Sequence, residues 1–393
     1  MARIGIFGGS FNPPHLGHML AVREFQKKLS LDLVLLIPAS IPPHKQLSSN
    51  SPDAQTRLEL TRLAAAKLPN TEVLDIELNR QGTSYTADTL TELKERYPND
   101  ALFLLMGTDM FFSFEKWYHP ERITNLATIA VAHRNAEPTQ ALADCAQRLK
   151  DKYNARIEAV ENDYLPHSST SVRAMLAFGC AQEYLSPQVL DYITANKLYY
   201  VGENLKELPF ERLSEVSLSL HMAKRVRHVI GCSQTAGELA KYYGENVIDA
   251  KRAGILHDIT KALNAEEQLH LCEKYDIILN QFERENPKLL HAKTGATIAK
   301  KVFGESDAVY HAIYCHTTGK AQMNLLEKII YLADYMEPNR DFSGVDEMRR
   351  LAYMNLDDAM LMGLRMSIEQ LTVRNMQIDP NSLAALHFLE AKL

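Results

Sequence analysis

The chain has 393 residues, 46% of them apolar, and 43 lysines and arginines against 49 acids give a net charge of −6. That length exceeds the usual range of one hydrophobic core and predicts two domains, while the mild acidity excludes a general nucleic-acid or anionic-membrane binder, so phosphate binding must be local. Cys145, Cys180, Cys232, Cys272 and Cys315 are scattered without a CxxC pair, which excludes a disulfide frame or thiolate zinc site, and no apolar run approaches a membrane span, so a reduced cytoplasm is expected.

The first apolar run, residues 3–7, reads as a buried strand; Gly8 and Gly9 break it, and an amphipathic pattern from about Leu16 reads as a helix. Strand, glycine turn and helix make a phosphate-binding geometry, because a backbone without Cβ approaches an anion closely and the free amides of the helix start face the same spot. His15 and His18, three apart, share one side of the first helical turn and can donate to one phosphate chain. The turn lacks the Gly-Lys-Ser/Thr of a Walker loop and the third glycine of a dinucleotide fingerprint.

Apolar runs recur at 33–37, 73–78, 101–107 and 128–132, with helical patterns at 53–67, 87–97 and 139–152. The alternation predicts a parallel sheet covered by helices, with ligands beyond the carboxyl ends of the strands. After the second run, a proline-stiffened loop presents Lys45 as a mobile cation. After the third, Tyr85 and Thr86 stand at a helix start, where Thr86 reads either as an N-cap or as part of a carboxylate site. After the fourth come Gly107 and Asp109, the latter suited to a ribose hydroxyl, and then Trp117, suited to stacking on a flat ring or to the core. Arg134 closes the fifth run as a second phosphate contact. Ser168, Ser169 and Thr170 then cap a helix with Arg173 in its first turn, where a cation is misplaced unless an anion offsets it.

The segment Gly9-Ser10-Phe11-Asn12-Pro13-Pro14-His15-Leu16-Gly17-His18 resembles the HxGH signature of nucleotidyltransferases in the form found in bacterial nicotinate-nucleotide adenylyltransferases. The Pro-Pro-His-Lys loop, the Tyr-Thr-Ala-Asp segment, Gly-x-Asp with a later Trp, and Ser-Ser-Thr-x-x-Arg follow in the family's order. The resemblance covers residues 1–200 and implies a Rossmann-like α/β domain. It also implies that His15, His18 and Arg173 hold the phosphates of ATP, carried with Mg2+, while Tyr85, Thr86 and Trp117 surround the pyridine ring of nicotinate mononucleotide. The glycine turn Gly8 to Phe11, with Ser169 and Thr170, completes the expected nucleotide site. A pantetheine-phosphate or cytidylyl transferase of the same HxGH type is the alternative.

Residues 192–208 lose strand character and are expected to hold the linker, after which 213–393 is helical almost throughout, predicting an all-α domain over 205–393. His228, His257, Asp258, His291, His316 and Asp334 sit within or beside apolar helical runs, where unpaired charge is costly and a shared cation would satisfy them together. Imidazole and carboxylate without thiolate suit Fe, Mn, Zn or Co. The order, with the wording His-Asp-Ile-Thr-Lys, His316-Thr-Thr-Gly and Ala-Asp-Tyr-Met-Glu-Pro-Asn-Arg, resembles the YqeK-like branch of the HD phosphohydrolase superfamily. That resemblance implies one or two metals. His228, His257, Asp258 and Asp334 would surround the first, His291 and His316 the second, with Asp258 bridging and also catalytic. It implies symmetrical hydrolysis of diadenosine tetraphosphate to two ADP. Lys261 and Arg340 are expected at its phosphates; a metal-stabilised binding module without turnover is the alternative. A homo-oligomer is compatible with this reading.

Overall fold

In the computed structural model, which describes residues 1–43, 47–80, 82–133, 139–162 and 167–392, the opening apolar run forms β1 (Arg3–Gly9) at the middle of a sheet. The other strands are β2 (Leu33–Pro38), β3 (Thr71–Val73), β4 (Ala101–Gly107), β5 (Thr128–His133) and β6 (Ile157–Glu161). Their order is β3-β2-β1-β4-β5-β6, and every neighbouring pair is parallel. Alternate residues feed two apolar layers: Ile4, Ile6, Leu35, Leu102 and Leu104 on one face, Val34, Leu36, Phe103 and Leu105 on the other. Both faces are covered, which is why these strands read as continuous apolar runs.

The helices of this unit are α1 (Leu16–Lys28), α2 (Ala54–Ala65), α3 (Ile76–Asn79), α4 (Thr86–Arg96), α5 (Thr108–Phe112), α6 (Pro120–Leu126), α7 (Thr139–Tyr153), α8 (Ser169–Ala177) and α9 (Pro187–Ala195). The chain winds from β1 outward to β3, then returns to β4 on the other side of β1. The order therefore reverses there, and the carboxyl ends of β1 and β4 bracket the ligand crevice of such sheets.

Two expectations change. The run 73–78 is not a strand: β3 ends at Val73, and Ile76–Asn79 turns into a short helix whose Ile76 joins the core. The strand β6 escapes an apolar-run search because it is an edge strand carrying Glu158 and Glu161. Within 192–208, the segment expected to hold the linker, α9 runs to Ala195 and Tyr199 is 2% exposed with its hydroxyl tied to Asn12.

The backbone separates into two compact units, Met1–Val201 and Gly202–Leu393. The second holds α10 (Phe210–Leu220), α11 (Ala223–Tyr243), α12 (Val247–Leu256), α13 (Ala265–Lys274), α14 (Gln281–Glu285), α15 (Leu290–Lys301), α16 (Asp307–Tyr314), α17 (Leu325–Met336), α18 (Val345–Ala352), α19 (Leu356–Val373) and α20 (Pro380–Glu390). Among its described residues there is no strand. Asparagine caps set several helix starts; Asn264 and Asn324 each form a reciprocal box with the glutamate three residues on. A close crossing of α11 and α12 depends on Gly254, where a Cβ would lie 2.7 Å from the Cα of Ser233.

Candidate functional sites

The loop from Ser10 to His15 is pinned from several sides. Arg57 on α2 donates from Nη1 to Ser10 O at 2.8 Å and from Nη2 to Ser40 O at 3.0 Å. Arg173 on α8 donates from Nη1 to Asn12 O at 2.8 Å, and Ser169 Oγ donates to Pro13 O at 3.1 Å. The Asn12 side chain donates to Ser51 Oγ at 2.7 Å and accepts from the Tyr199 hydroxyl at 2.8 Å. Burial pushes the Tyr199 phenol well up, so it remains a donor. Such over-determination lets Phe11 hold a left-handed φ of 43°, a strained value for a residue with a side chain.

His15 is the N-cap of α1 and His18 its third residue; their ring centroids are 3.7 Å apart, and the His15 N–H donates to His18 Nδ1 at 3.2 Å. Gly8 is exposed at the end of β1, with Gly9 and Ser10 half-buried after it. Phe11, expected in the nucleotide site, has its side chain 1% exposed and packed edge-on to His18 at 5.3 Å. Only its backbone is available to a ligand.

Arg173 is the fifth residue of α8 rather than in its first turn, but the side chain folds back to Ser169 O at 3.2 Å and Thr170 Oγ1 at 3.3 Å. Its charge thus reaches the helix start by a longer route. Arg57 and Arg173 are 1% and 3% exposed, and among the described residues neither forms an ion pair with a carboxylate. Burial lowers both pKa values. Two desolvated cations facing carbonyl oxygens are costly unless an anion offsets them. Arg57 escaped the sequence reading because its spacing in α2 marks it only as one polar residue of an amphipathic helix.

On the flank of the crevice, Tyr85 is the N-cap of α4 and Thr86 its first residue, so Thr86 is not the cap. The ring partner of Tyr85 is Tyr118, centroids 4.3 Å apart, a residue not singled out from sequence. Trp117 is half-buried, 5.5 Å from Phe114 and against the core, which favours the packing alternative over a free stacking face. Gly107 caps α5 at the end of β4 and Asp109 is exposed in its first turn. Lys45 and Arg134 lie outside the described residues.

In the second unit, all six expected ligands converge. His228 on α11 has Nε2 3.3 Å from His257 Nε2 and 3.1 Å from Asp334 Oδ1. The two oxygens of Asp258 face opposite pairs: Oδ2 is 3.5 Å from His257 and 3.7 Å from His228, Oδ1 is 3.5 Å from His291 and 3.8 Å from His316. The ring nitrogens on the far side are already committed. Nδ1 of His257, His291 and His316 donate to the carbonyls three residues back, Gly254, Lys288 and Ile313, at 2.7–2.8 Å. His228 Nδ1 donates to the buried Glu337 carboxylate at 3.1 Å. Every Nε2 lone pair is therefore turned inward. Burial pushes His257 down to about 4 and His291 to about 3, keeping both neutral.

Cations surround this centre. Arg340 Nη2 is 2.7 Å from Asp334 Oδ1, Lys261 Nζ is 2.8 Å from His291 Nε2, and Arg225, unremarked in the sequence, contacts Asp258 Oδ2. A cavity of about 780 Å³ opens beside His316 and Asp334, lined by Tyr335, Phe342, Arg340 and Arg374 among others.

Residues 6–175 match the family model for cytidylyltransferase-like proteins, and residues 225–339 match that of the HD domain. A protein of Carboxydothermus hydrogenoformans named probable nicotinate-nucleotide adenylyltransferase is 40% identical over 199 residues, which are 50% of this chain and 98% of that protein. The chain belongs to the nicotinate-nucleotide adenylyltransferase family. It is an adenylyltransferase-family chain with an HD domain joined to it. A Mycoplasma genitalium relative named probable nicotinate-nucleotide adenylyltransferase/Ap4A hydrolase is 27% identical over 376 residues, 92% of this chain and 97% of the relative. The crystal structure of a predicted HD superfamily hydrolase involved in NAD metabolism from Clostridium acetobutylicum is 35% identical, covering 47% of this chain and 99% of that one with a TM-score of 0.46.

An HD domain implies a divalent metal, and the residues of this adenylyltransferase-family chain fit one. Inward-facing imidazoles with two carboxylates, and groups whose ligand atoms lie within 4.8 Å of one another, form the donor set of a borderline cation.

Proposed function

We propose that the first unit transfers the adenylyl group of ATP to nicotinate mononucleotide, releasing pyrophosphate, and that the second hydrolyses diadenosine tetraphosphate symmetrically to two ADP. The observation that carries the first half is the loop before the His15–His18 pair, pinned by two buried guanidinium groups that have no carboxylate partner among the described residues. In that reaction a phosphate oxygen of the mononucleotide attacks the α-phosphorus of ATP in line with the leaving pyrophosphate, so catalysis is alignment and charge neutralisation. His15, His18 and Arg173 bind the triphosphate, helped by the starts of α1 and α8; Gly8, Gly9 and the Ser10 and Phe11 backbone admit it closely. Mg2+ travels with ATP. Tyr85 and Tyr118 offer the aromatic wall for the pyridine, with Thr86 beside it, and Asp109 a ribose contact.

In the second unit, His228, His257, Asp258, His291, His316 and Asp334 hold one or two ions of Fe, Mn, Zn or Co. Such an ion supplies Lewis acidity and makes water acidic enough to attack phosphorus at neutral pH. Asp258 presents one oxygen to each imidazole pair and would help to hold whatever ion each pair binds. Lys261, Arg225 and Arg340 neutralise polyphosphate charge, and the cavity walled by Tyr335 and Phe342 accepts a nucleoside.

The test uses the full chain. ATP with nicotinate mononucleotide should give deamido-NAD, faster than with nicotinamide mononucleotide or pantetheine phosphate; a preference for pantetheine phosphate would overturn the substrate. Diadenosine tetraphosphate with Mn2+ should give two ADP, and H257A should not; undiminished turnover by H257A would overturn the metal centre.

A further inference from the structure

Of the four imidazoles facing the metal centre, three take their orientation from their own backbone. His257 and His316 follow the last turns of α12 and α16, and His291 follows a 3-10 turn at Pro287–Leu289, where a carbonyl three residues back is open to Nδ1–H. His228 has no such partner. It lies inside the 21-residue helix α11, whose carbonyls are engaged in the helical ladder. Its ring would be free to rotate about χ2, and either tautomer could form, unless another element supplied an acceptor.

Glu337 supplies it. This residue caps α17 three positions after Asp334, and its side chain is 1% exposed. Oε1 accepts from His228 Nδ1 at 3.1 Å, while Oε2 accepts from the Asn339 side chain at 2.7 Å and its backbone N–H at 2.8 Å. The Asn339 amide also donates to Arg227 O at 3.2 Å, tying the turn after α17 back to α11. A second observation comes from α11 itself. Gly231 is three residues after His228, on the same helix face, and a Cβ there would lie 2.3 Å from Glu337 Oε2 and 3.1 Å from Asn339 Nδ2. Only a residue without a side chain leaves room for the carboxylate.

We propose that Glu337 is a positioning residue for the metal centre, acting through His228, and that Gly231 is the vacancy in α11 that admits it. The inference rests on the metal-centre reading above. The carboxylate fixes the proton on Nδ1 and aims the Nε2 lone pair at the site shared with His257 and Asp334. Partners of this kind typically change metal affinity 10–100-fold, at the order-of-magnitude level.

The experiment measures Mn2+ binding by calorimetry and metal content by elemental analysis on the full chain after chelation and reloading. Wild type, E337Q, E337A, G231A and E337A/G231A are compared, with H257A as control and apo-protein melting as the check on folding. E337A should weaken Mn2+ binding about 10–100-fold. E337Q should lose less, because its amide oxygen still accepts from Nδ1–H but without charge. G231A should reproduce the loss with every ligand present, and E337A/G231A should bind no more weakly than E337A, since the methyl then fills vacated space. Wild-type Mn2+ affinity in E337A, with the wild type binding and H257A not, would overturn the role of Glu337 alone. Equal, absent uptake by wild type and H257A would overturn the metal-centre reading and this inference with it.

Discussion

The backbone N–H of His15 donates to Nδ1 of His18, 3.2 Å away, with the two rings nearly in van der Waals contact. An Nδ1 that accepts is unprotonated, so neutral His18 carries its proton on Nε2, the nitrogen that would donate to a phosphate in the proposed reaction. The first helical turn therefore selects the tautomer before substrate arrives.

On the proposed adenylyl transfer, His18 would act on charge that develops in the transition state. H18A is expected to lower kcat by about 10²–10³-fold with a small change in KM for ATP. H18Q, whose amide nitrogen reaches the place of Nε2, should retain more activity than H18N, which reaches only the place of Nδ1. Steady-state kinetics with ATP varied check this. An unchanged kcat with raised KM would show ground-state binding alone.

Arg57 joins the loops after β1 and β2 by bonding Ser10 O and Ser40 O together. R57M keeps the length of the stem but leaves both carbonyls without that donor, a loss of about 1–3 kcal/mol for each buried group left unsatisfied. The expected result is a lower melting temperature of the first unit and a raised KM for both substrates. R57K, able to reach one carbonyl at a time, should fall between. Melting curves read with kinetics on the same samples decide it; an R57M that melts and turns over like wild type would remove the clamp.

How far the sequence could be read depends on whether a feature is local. The glycine turn and the spacing of His15 and His18 are local, and both histidines stand on the first turn of α1. The runs that became β2, β4 and β5 were legible because burial on both faces makes them continuously apolar; β6, on an edge, was not. Arg57, Tyr118, Arg225 and Glu337 were missed because their importance lies in what they meet, 17 to 109 residues away in the chain or across the fold. For Trp117 composition left two readings open, and only packing on Phe114 weighs between them. The helical unit showed its six candidate ligand residues by type and order, yet the fixing of Nδ1 in His257, His291 and His316 depends on where helices start and end, and such ends are blurred in sequence.

Lys261, in the turn after α12, and Arg340, after α17, flank the centre, each within 3 Å of a candidate ligand residue. If they serve the polyphosphate, K261A and R340A should raise KM for diadenosine tetraphosphate about tenfold each while Mn2+ content stays at the wild-type level. Elemental analysis beside kinetics separates this from damage to the site. Loss of metal together with activity would assign them to holding the ligands instead.

The buried imidazoles also predict how the metal-free chain responds to pH. His257 and His291 are pushed by burial from 6.5 to about 4 and about 3 in the folded protein. Below pH 6.5 the unfolded chain binds protons that the native one refuses, so unfolding takes up protons and stability rises with pH across the window from about 4 to 6.5. With EDTA present, the melting temperature of the second unit should be flat above pH 7 and fall steadily as pH drops through that window. H257Q removes one proton-binding group from the unfolded state and should flatten the fall, whereas wild type saturated with Mn2+ should melt higher throughout with a fall of similar slope, because these native rings carry no proton for the ion to displace in that window. Calorimetry at half-unit pH steps with and without EDTA measures all three slopes. A melting temperature constant from pH 7 to 4.5 in EDTA would mean that these rings are not desolvated, and the inward-facing lone pairs on which the metal centre depends would lose their support.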